Sequence, residues 1–189
     1  MGDFGAGKDG SVARVILCNM SKSKHFYLLL FFLLFSLFCC ESYPEGDIAI
    51  NVKDGDTVVI QPANGKKYTC RLYGIDAPET AKRGKPGQPF GDEAKDALSS
   101  LVRKKQVEVE IKDRDRYGRA VCILKLDGAD INRKMIELGL AWAYIEYLKG
   151  PYVSIYYDAE KEARAKRLGL WQQSNPLPPW EFRKLYRRR

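Results

Sequence analysis

The sequence predicts a small α+β domain in which five strands close into a barrel and about three α-helices pack on it. Apolar and polar residues alternate in short segments such as residues 48–52 and 107–111, which is the pattern of half-buried strands. The turn sequences Asp54-Gly55 and Asn64-Gly65 separate the first three of these segments. Longer segments with one apolar face come between and after the strands, which indicates helices that cover the barrel.

The elements follow one another in a simple order. Three strands form an antiparallel meander, and a helix, two more strands and two further helices come after it. The predicted strands are residues 48–52, 57–60, 67–73, 107–111 and 120–126, and the predicted helices are residues 92–103, 131–138 and 153–168. Gly139 and Gly169 end the last two helices, because glycine is favoured just past a helix C-terminus. A five-stranded Greek-key barrel is the OB-fold, which in many proteins binds oligonucleotides on one face.

The length of 189 residues is enough for one domain, and we find no internal repeat. We assign residues 1–42 to an N-terminal extension with a signal peptide, residues 43–180 to the barrel domain and residues 181–189 to a basic tail. A monomer is the default expectation.

The N-terminal extension contains an apolar segment, residues 26–40, that is interrupted only by Ser36. A charged flank precedes it, and a charged flank with a short apolar core is typical of a secretory signal peptide. Cleavage after Ser42 and initiation at Met20 fit this interpretation. The protein would then be secreted, periplasmic or extracellular, whereas a retained segment would anchor it to a membrane.

Cysteine and histidine usage narrows the chemistry. Removal of the extension leaves two cysteines, Cys70 and Cys122, which in an exported domain are either a disulfide or two small buried residues. The single histidine, His25, lies in the extension. The lack of histidine in the domain excludes Ser-His-Asp hydrolases and histidine-based nucleases. Any general base is then a carboxylate, tyrosine, lysine or water.

The charge balance favours a polyanionic partner. The chain carries a formal net charge of +8 and has a pI near 9.2. Nucleic acid or an anionic membrane surface fits this balance, although a solvated basic surface would give the same composition.

Acids and arginines cluster in four short pieces of the sequence: Asp54-Gly55-Asp56-Thr57, Arg71, Gly74-Ile75-Asp76-Ala77-Pro78-Glu79-Thr80 and Asp115-Arg116-Tyr117-Gly118-Arg119. Carboxylates without histidine suit a hard, oxygen-liganded cation such as Ca²⁺. Two arginines suit a phosphate, because the guanidinium group matches phosphate oxygens in a bidentate way. Each piece alone is an ordinary turn, loop or surface charge, but together they indicate metal-assisted phosphodiester hydrolysis.

In their order and spacing these pieces resemble the staphylococcal-nuclease-like (thermonuclease) family, over roughly residues 47–179. The resemblance implies that Asp56 and Asp76 ligate Ca²⁺ and that Asp54 lies close by and acts through water. It also implies a further ligand from the backbone carbonyl at Ala77, where many members of the family have threonine.

The same resemblance implies that Arg71 and Arg119 bind the scissile phosphate and that Glu79 is the general base for the attacking water. Tyr144 and Tyr147 correspond to tyrosines that contact the nucleotide, although at this spacing they also fit one packing face of the fold.

The basic residues Lys82 and Lys85 lie in a loop over residues 82–89 and are expected to contact the nucleic-acid backbone. The function implied is calcium-dependent endonucleolytic cleavage of DNA and RNA with 3′-phosphate products. The alternative is a catalytically silent OB-fold module that binds nucleic acid or protein.

Overall fold

A computed structural model of the protein describes residues 46–187. The predicted signal segment over residues 26–40, the cleavage after Ser42 and the initiator Met20 lie outside the described residues. The terminal residues Arg188 and Arg189 of the predicted tail also lie outside them. The described part belongs to a single unit, Pro44–Arg189.

Five long strands form the barrel, and three two-residue strands join the loops around it. In chain order the strands are β1 (Asp47–Asp54), β2 (Thr57–Gln61), β3 (Tyr68–Leu72), β4 (Ile75–Asp76), β5 (Gln106–Arg114), β6 (Ala120–Leu126), β7 (Ala129–Asp130) and β8 (Trp142–Ala143). Neighbours in the main sheet follow the order β3-β2-β1-β5-β6-β7, and β3 also pairs with β6 in parallel. This additional pairing closes the five long strands into a barrel and confirms the predicted OB-fold.

Four helices lie within residues 46–187: α1 (Gly91–Val102), α2 (Ile131–Glu137), α3 (Tyr152–Ala165) and α4 (Pro179–Arg187). The first three agree with the predicted helices to within a few residues. In α1 the apolar side chains of Ala94, Leu98 and Val102 recur every four residues and are buried against the barrel. The fourth helix is an element that the sequence analysis missed, because residues 181–189 were interpreted as a tail.

A buried asparagine fixes α2 on the barrel. The side-chain amide of Asn132 donates hydrogen bonds to the carbonyls of Tyr73 and Cys122, each at 3.0 Å, and its oxygen accepts one from the N–H of Leu124 at 3.1 Å. The contact ties α2 to β6 and to the end of β3, because a buried amide is costly unless its donors and acceptors are paired.

The two cysteines of the domain form a disulfide across the closing seam of the barrel. Cys70 on β3 and Cys122 on β6 are fully buried, and their Cα atoms are 6.2 Å apart. Of the two alternatives that the sequence left open, a disulfide or two separate buried cysteines, the structure contains the disulfide. None of the helices in the described part of the chain is long and apolar enough to cross a membrane.

Candidate active site

The first acidic piece is the turn between β1 and β2. A side chain at Gly55 would place its Cβ 2.7 Å from the Cβ atoms of both Ala77 and Ala94, so only glycine allows this close approach. The turn therefore packs directly against the second acidic piece and against α1. This packing brings Asp54 and Asp56 to the same place as Asp76.

Asp56 is almost completely buried and is held by three donors. Its carboxylate accepts hydrogen bonds from the Thr57 hydroxyl at 2.9 Å and from the Ala77 N–H at 3.0 Å, and it pairs with the guanidinium of Arg71. Burial acts to raise the pKa of Asp56, but Arg71 and these hydrogen bonds outweigh burial and lower it. Asp56 is therefore ionised in the folded protein.

Arg71 lies between the two buried acids. It stands on β3 opposite Thr57, and its guanidinium contacts Asp56 through Nη1 and Asp76 through Nη2, the latter at 2.5 Å from Oδ1. The structure thus brings together three of the residues that the sequence predicted as one site. Burial acts to lower the pKa of Arg71, and the two carboxylates reverse this and raise it.

Asp76 and Glu79 are positioned by backbone contacts. Asp76 ends β4, which pairs with β8, and its side chain is fully buried. Burial raises the pKa of Asp76, although Arg71 and another arginine, described below, oppose this effect. Glu79 is clamped by Gln88, whose side-chain oxygen accepts from the Glu79 N–H at 3.0 Å and whose own N–H donates to the Glu79 carbonyl at 2.8 Å.

Gln88 is a positioning residue that the sequence analysis missed. Its role depends on a contact across nine residues of loop, and no local pattern marks such a contact. The side-chain N–H of Gln88 also donates to the carbonyl of Leu177 at 2.9 Å, which ties the loop to the C-terminal segment.

The basic loop borders the acids. The ammonium of Lys82 is 3.5 Å from Asp54 and 3.9 Å from Glu79, and the backbones of Lys82 and Lys85 form a two-residue bridge. Both lysines line a cavity of about 200 Å³ next to Glu79. The predicted contact of this loop with a substrate backbone is consistent with its position, and it stays a prediction.

Arg119 does not contact the acids that surround Arg71, as far as residues 46–187 show. Its Nε is paired with Asp115 at 2.6 Å within its own turn, and Asp115 also accepts from the backbone N–H groups of Tyr117 and Arg119. Val121, two residues further, pairs with Arg71 across the parallel seam. Arg119 directly precedes β6, so its backbone lies close to the point where β6 pairs with the strand of Arg71.

The two predicted nucleotide-binding tyrosines lie beside each other. Tyr144 directly follows β8 and donates its N–H to the Gly74 carbonyl at 2.8 Å, so it lies next to the strand of Asp76. The ring centroids of Tyr144 and Tyr147 are 4.6 Å apart. Tyr144 also stacks on Trp180 of α4, with centroids 5.0 Å apart and planes only 6° from parallel.

The site contains a third arginine, which comes from α4. Arg183 binds both oxygens of Asp76, at 3.1 and 2.8 Å, and one oxygen of Glu79 at 2.9 Å. The sequence analysis missed this residue because its helix was not predicted. The proline pair Pro178-Pro179, with a proline at the first helical position, was a signal that could have found the helix.

The electrostatics of the turn fit an oxygen-liganded cation. Burial, and then the neighbouring Asp56, raise the pKa of Asp54 to about 6. The Oδ1 atom of Asp54 is buried and has no hydrogen-bond partner in the structure. A buried carboxylate oxygen without a donor, beside a second carboxylate, is suited to a Ca²⁺ ligand shell.

The acids do not form a ligand shell in their present arrangement. In the part of the chain that the structure describes, no three acidic, histidine or cysteine side chains are grouped so as to hold a metal ion. Asp56 and Asp76 point instead at guanidinium groups. The donor types fit an oxygen-liganded cation, and in the structure both carboxylates are paired with arginine.

Comparison with known proteins agrees with the geometry. A family profile described as "Staphylococcal nuclease homologue" matches residues 69–173. The chain is 36% identical over 157 residues to an "Uncharacterized endonuclease" of Haemophilus influenzae, which covers 83% of this chain and 82% of that protein. It is 38% identical over 144 residues to "Micrococcal nuclease" of Shigella flexneri, covering 71% and 78%.

Plant proteins match over a shorter region. "Staphylococcal-like nuclease CAN1" of Arabidopsis thaliana is 42% identical over 119 residues, which cover 63% of this chain and 34% of that protein. The chain spans about a third of the length of such plant relatives.

Proposed function

The chain belongs to the staphylococcal nuclease homologue family, and on this premise we propose that it is a calcium-dependent endonuclease of DNA and RNA. The observation that carries the proposal is the cluster of Asp56, Arg71 and Asp76, in which one guanidinium joins two buried carboxylates beside Glu79. No single structural role requires such a set, whereas phosphodiester hydrolysis uses every member.

Three residues would hold the cation directly, and Asp54 would act on it through water. Asp56 and Asp76 supply carboxylate oxygens, the Ala77 carbonyl supplies a backbone oxygen, and Asp54 lies beside them with an oxygen that lacks a partner. When bound, Ca²⁺ polarises the phosphoryl oxygen and stabilises the charge that develops on it. Because only the backbone of Ala77 takes part, alanine in place of threonine leaves this ligand intact.

The arginines and Glu79 would carry out the remaining steps. Arg71 on β3 and Arg119, just before the strand that pairs with β3, would bind the non-bridging phosphate oxygens, whose charge grows in the transition state. A carboxylate oxygen of Glu79 accepts the proton of the attacking water as the water oxygen bonds to phosphorus. The bond from phosphorus to the 5′ oxygen breaks, which leaves a 3′-phosphate, and the 5′ oxygen takes up a proton from solvent.

Substrate binding would be tolerant of sequence. Lys82 and Lys85 border the acids and suit the phosphates of the strand, and the exposed ring of Tyr147 suits a base. Contacts to phosphates carry no sequence information, and every base offers a face for stacking. We therefore expect cleavage with little sequence preference.

Cleavage of denatured DNA and of RNA by the full chain tests the proposal. The reaction is followed on gels with calcium or with chelator, and product ends are examined for a 3′-phosphate by phosphatase treatment and polymerase extension. Glu79→Gln should reduce the rate by about 100-fold or more, since loss of a general base costs at least this much. Glu108→Gln is the matched control, because Glu108 is an exposed acid on β5 far along the sheet from the acids.

Two outcomes would overturn the proposal. Binding of the substrates without cleavage at any calcium concentration would identify the silent binding module. Cleavage at the same rate in chelator would remove the role of the cation.

We also propose that the protein is exported. The signal-like residues 26–40 support this, and so does the Cys70–Cys122 disulfide, since disulfides persist in oxidising compartments. Mass spectrometry of the protein from its host should find a mature N-terminus near residue 43. An intact N-terminus in the membrane fraction would indicate the retained anchor instead.

A further inference from the structure

The C-terminal helix α4 occupies the same atoms that the proposed cation would use. Arg183 donates to both oxygens of Asp76 and to one oxygen of Glu79, so its guanidinium binds one proposed calcium ligand and the proposed base at once. A guanidinium and a divalent cation repel each other at this distance and compete for the same carboxylate oxygens. Arg183 and the cation therefore exclude each other at Asp76.

The same helix covers Tyr144, the other of the two tyrosines predicted to contact the nucleotide. The indole of Trp180 lies parallel to the ring of Tyr144 at 5.0 Å, which is the geometry in which a base would stack on that tyrosine. Trp180 also contacts Trp142, with centroids 5.6 Å apart, so the indole has a defined position. One helix thus places the Arg183 guanidinium on the acids and, from three residues earlier, the flat indole of Trp180 on the tyrosine.

The segment before α4 is hydrogen-bonded to the loop that positions Glu79, the proposed general base. Gln88 binds the backbone of Glu79 with its oxygen and the carbonyl of Leu177 with its side-chain N–H. Phe182 of α4 lines the cavity beside Glu79 together with Lys82 and Lys85. The helix therefore lies over the acids, the tyrosine and the basic loop together.

We propose that α4 is an intramolecular competitor of the substrate and cation, which keeps the site closed until calcium and a nucleic-acid strand displace it. This inference rests on the proposed function, because it assigns a regulation to that same site. Arg183 takes the place of the cation and Trp180 takes the place of a base. The apparent affinity for calcium then equals the intrinsic affinity multiplied by the fraction of molecules in which the helix is undocked.

Calcium binding to the full chain, measured by calorimetry without any nucleic acid, tests the inference directly. Arg183→Gln removes the competing charge, and Lys184→Gln is a matched control on the same helix. Lys184 pairs only with Glu181 among the described residues and is largely exposed. If the helix is docked in about nine molecules of ten, Arg183→Gln should bind calcium about tenfold more tightly than the wild type. Lys184→Gln should stay within about twofold of the wild type on the same basis.

Hydrogen exchange of the unsubstituted chain gives a second reading that needs no variant. The backbone amides of residues 179–187 should exchange faster in calcium than in chelator, because the helix leaves its contacts when the ion binds. Unchanged exchange in calcium, with calcium bound, would overturn the inference.

The alternative role for Arg183 is that of a further arginine that supports the site. In that case Arg183→Gln would bind calcium no more tightly than the wild type, and the inference would fail while cleavage by the wild type upheld the proposed function. Failure of all three proteins to bind calcium would overturn both.

Discussion

The disulfide across the barrel seam allows a quantitative prediction. Cys70 and Cys122 are separated by 52 residues, and their bond joins β3, which carries Arg71, to β6, which follows Arg119. Alanine at either cysteine removes the cross-link completely. The chain-entropy relation gives about 14 cal/mol/K for a loop of this length, or about 4 kcal/mol at 25 °C.

The two single variants and the double variant form a cycle that separates the cross-link from packing. Each single variant should lose about 4 kcal/mol of unfolding free energy, and the double variant should lose little more than either, because the cross-link can be lost only once. Two separate buried thiols would behave differently. Each alanine would then cost about 1 kcal/mol, and the two costs would add.

Urea unfolding followed by tryptophan fluorescence measures these energies without reducing agent. The wild type in reducing agent should resemble the single variants. Additive losses near 1 kcal/mol per cysteine would refute the reasoning, as would a wild type that is equally stable with and without reductant.

Three further predictions concern the site. Arg71→Ala should lower the unfolding free energy by about 3–5 kcal/mol, because it leaves the buried carboxylates of Asp56 and Asp76 short of a partner. An unchanged urea midpoint would show that the two carboxylates do not depend on Arg71. Gln88→Ala should cost about 0.5–1.5 kcal/mol and lower kcat, because the partly buried Glu79 N–H loses its acceptor. Wild-type kinetics in this variant would show that Gln88 does not position Glu79. Hydrogen bonds from Arg119 lower the pKa of Asp115 against the effect of burial. The unfolding free energy of the wild type should therefore exceed that of Asp115→Asn by about 0.5 kcal/mol above about pH 4, and this difference should disappear as the pH falls further. A difference that grows in acid would show that the pKa of Asp115 is not lowered in the folded protein.

The barrel could be predicted because its signals are local. Alternation along β1 and β5 and the Asp54-Gly55 turn each depend on a few adjacent residues, and the meander of β1, β2 and β3 pairs in chain order. The meeting of Asp56, Arg71 and Asp76 follows from that order together with the family resemblance. The closing pairing of β3 with β6 brings the start of β6, directly after Arg119, beside the strand of Arg71, and a site shared by the two arginines stays a prediction.

The position of the C-terminal helix on the site could not be predicted with the same rules, although the proline at its first position marks its start. Its residues are strongly basic, and the partners that give them a place are far away in the sequence: Trp142 and Tyr144 for Trp180, and Asp76 for Arg183. Propensity is a weak guide where tertiary contacts decide the structure. The same reason explains why Gln88 escaped notice.

The acids show a second limit of sequence reasoning. The motif indicates which side chains can ligate a cation, but it does not indicate what they contact in the folded chain. Asp76 contacts the guanidinium groups of both Arg71 and Arg183 in the structure, and neither contact can be inferred from the motif alone.

The most direct test of a single shared site is the calcium-dependent rate at which Arg119→Ala cleaves denatured DNA, compared with Arg116→Ala in the same turn. Arg119 is the best probe because, among residues 46–187, its ion pair is with Asp115 of its own turn, so its loss should leave the acid cluster unchanged. If Arg119 stabilises the transition state together with Arg71, its loss should slow cleavage by about 100-fold or more while Arg116→Ala stays near the wild-type rate. Equal rates for the two variants would contradict the account, since the phosphate would then be bound without one of the two proposed arginines.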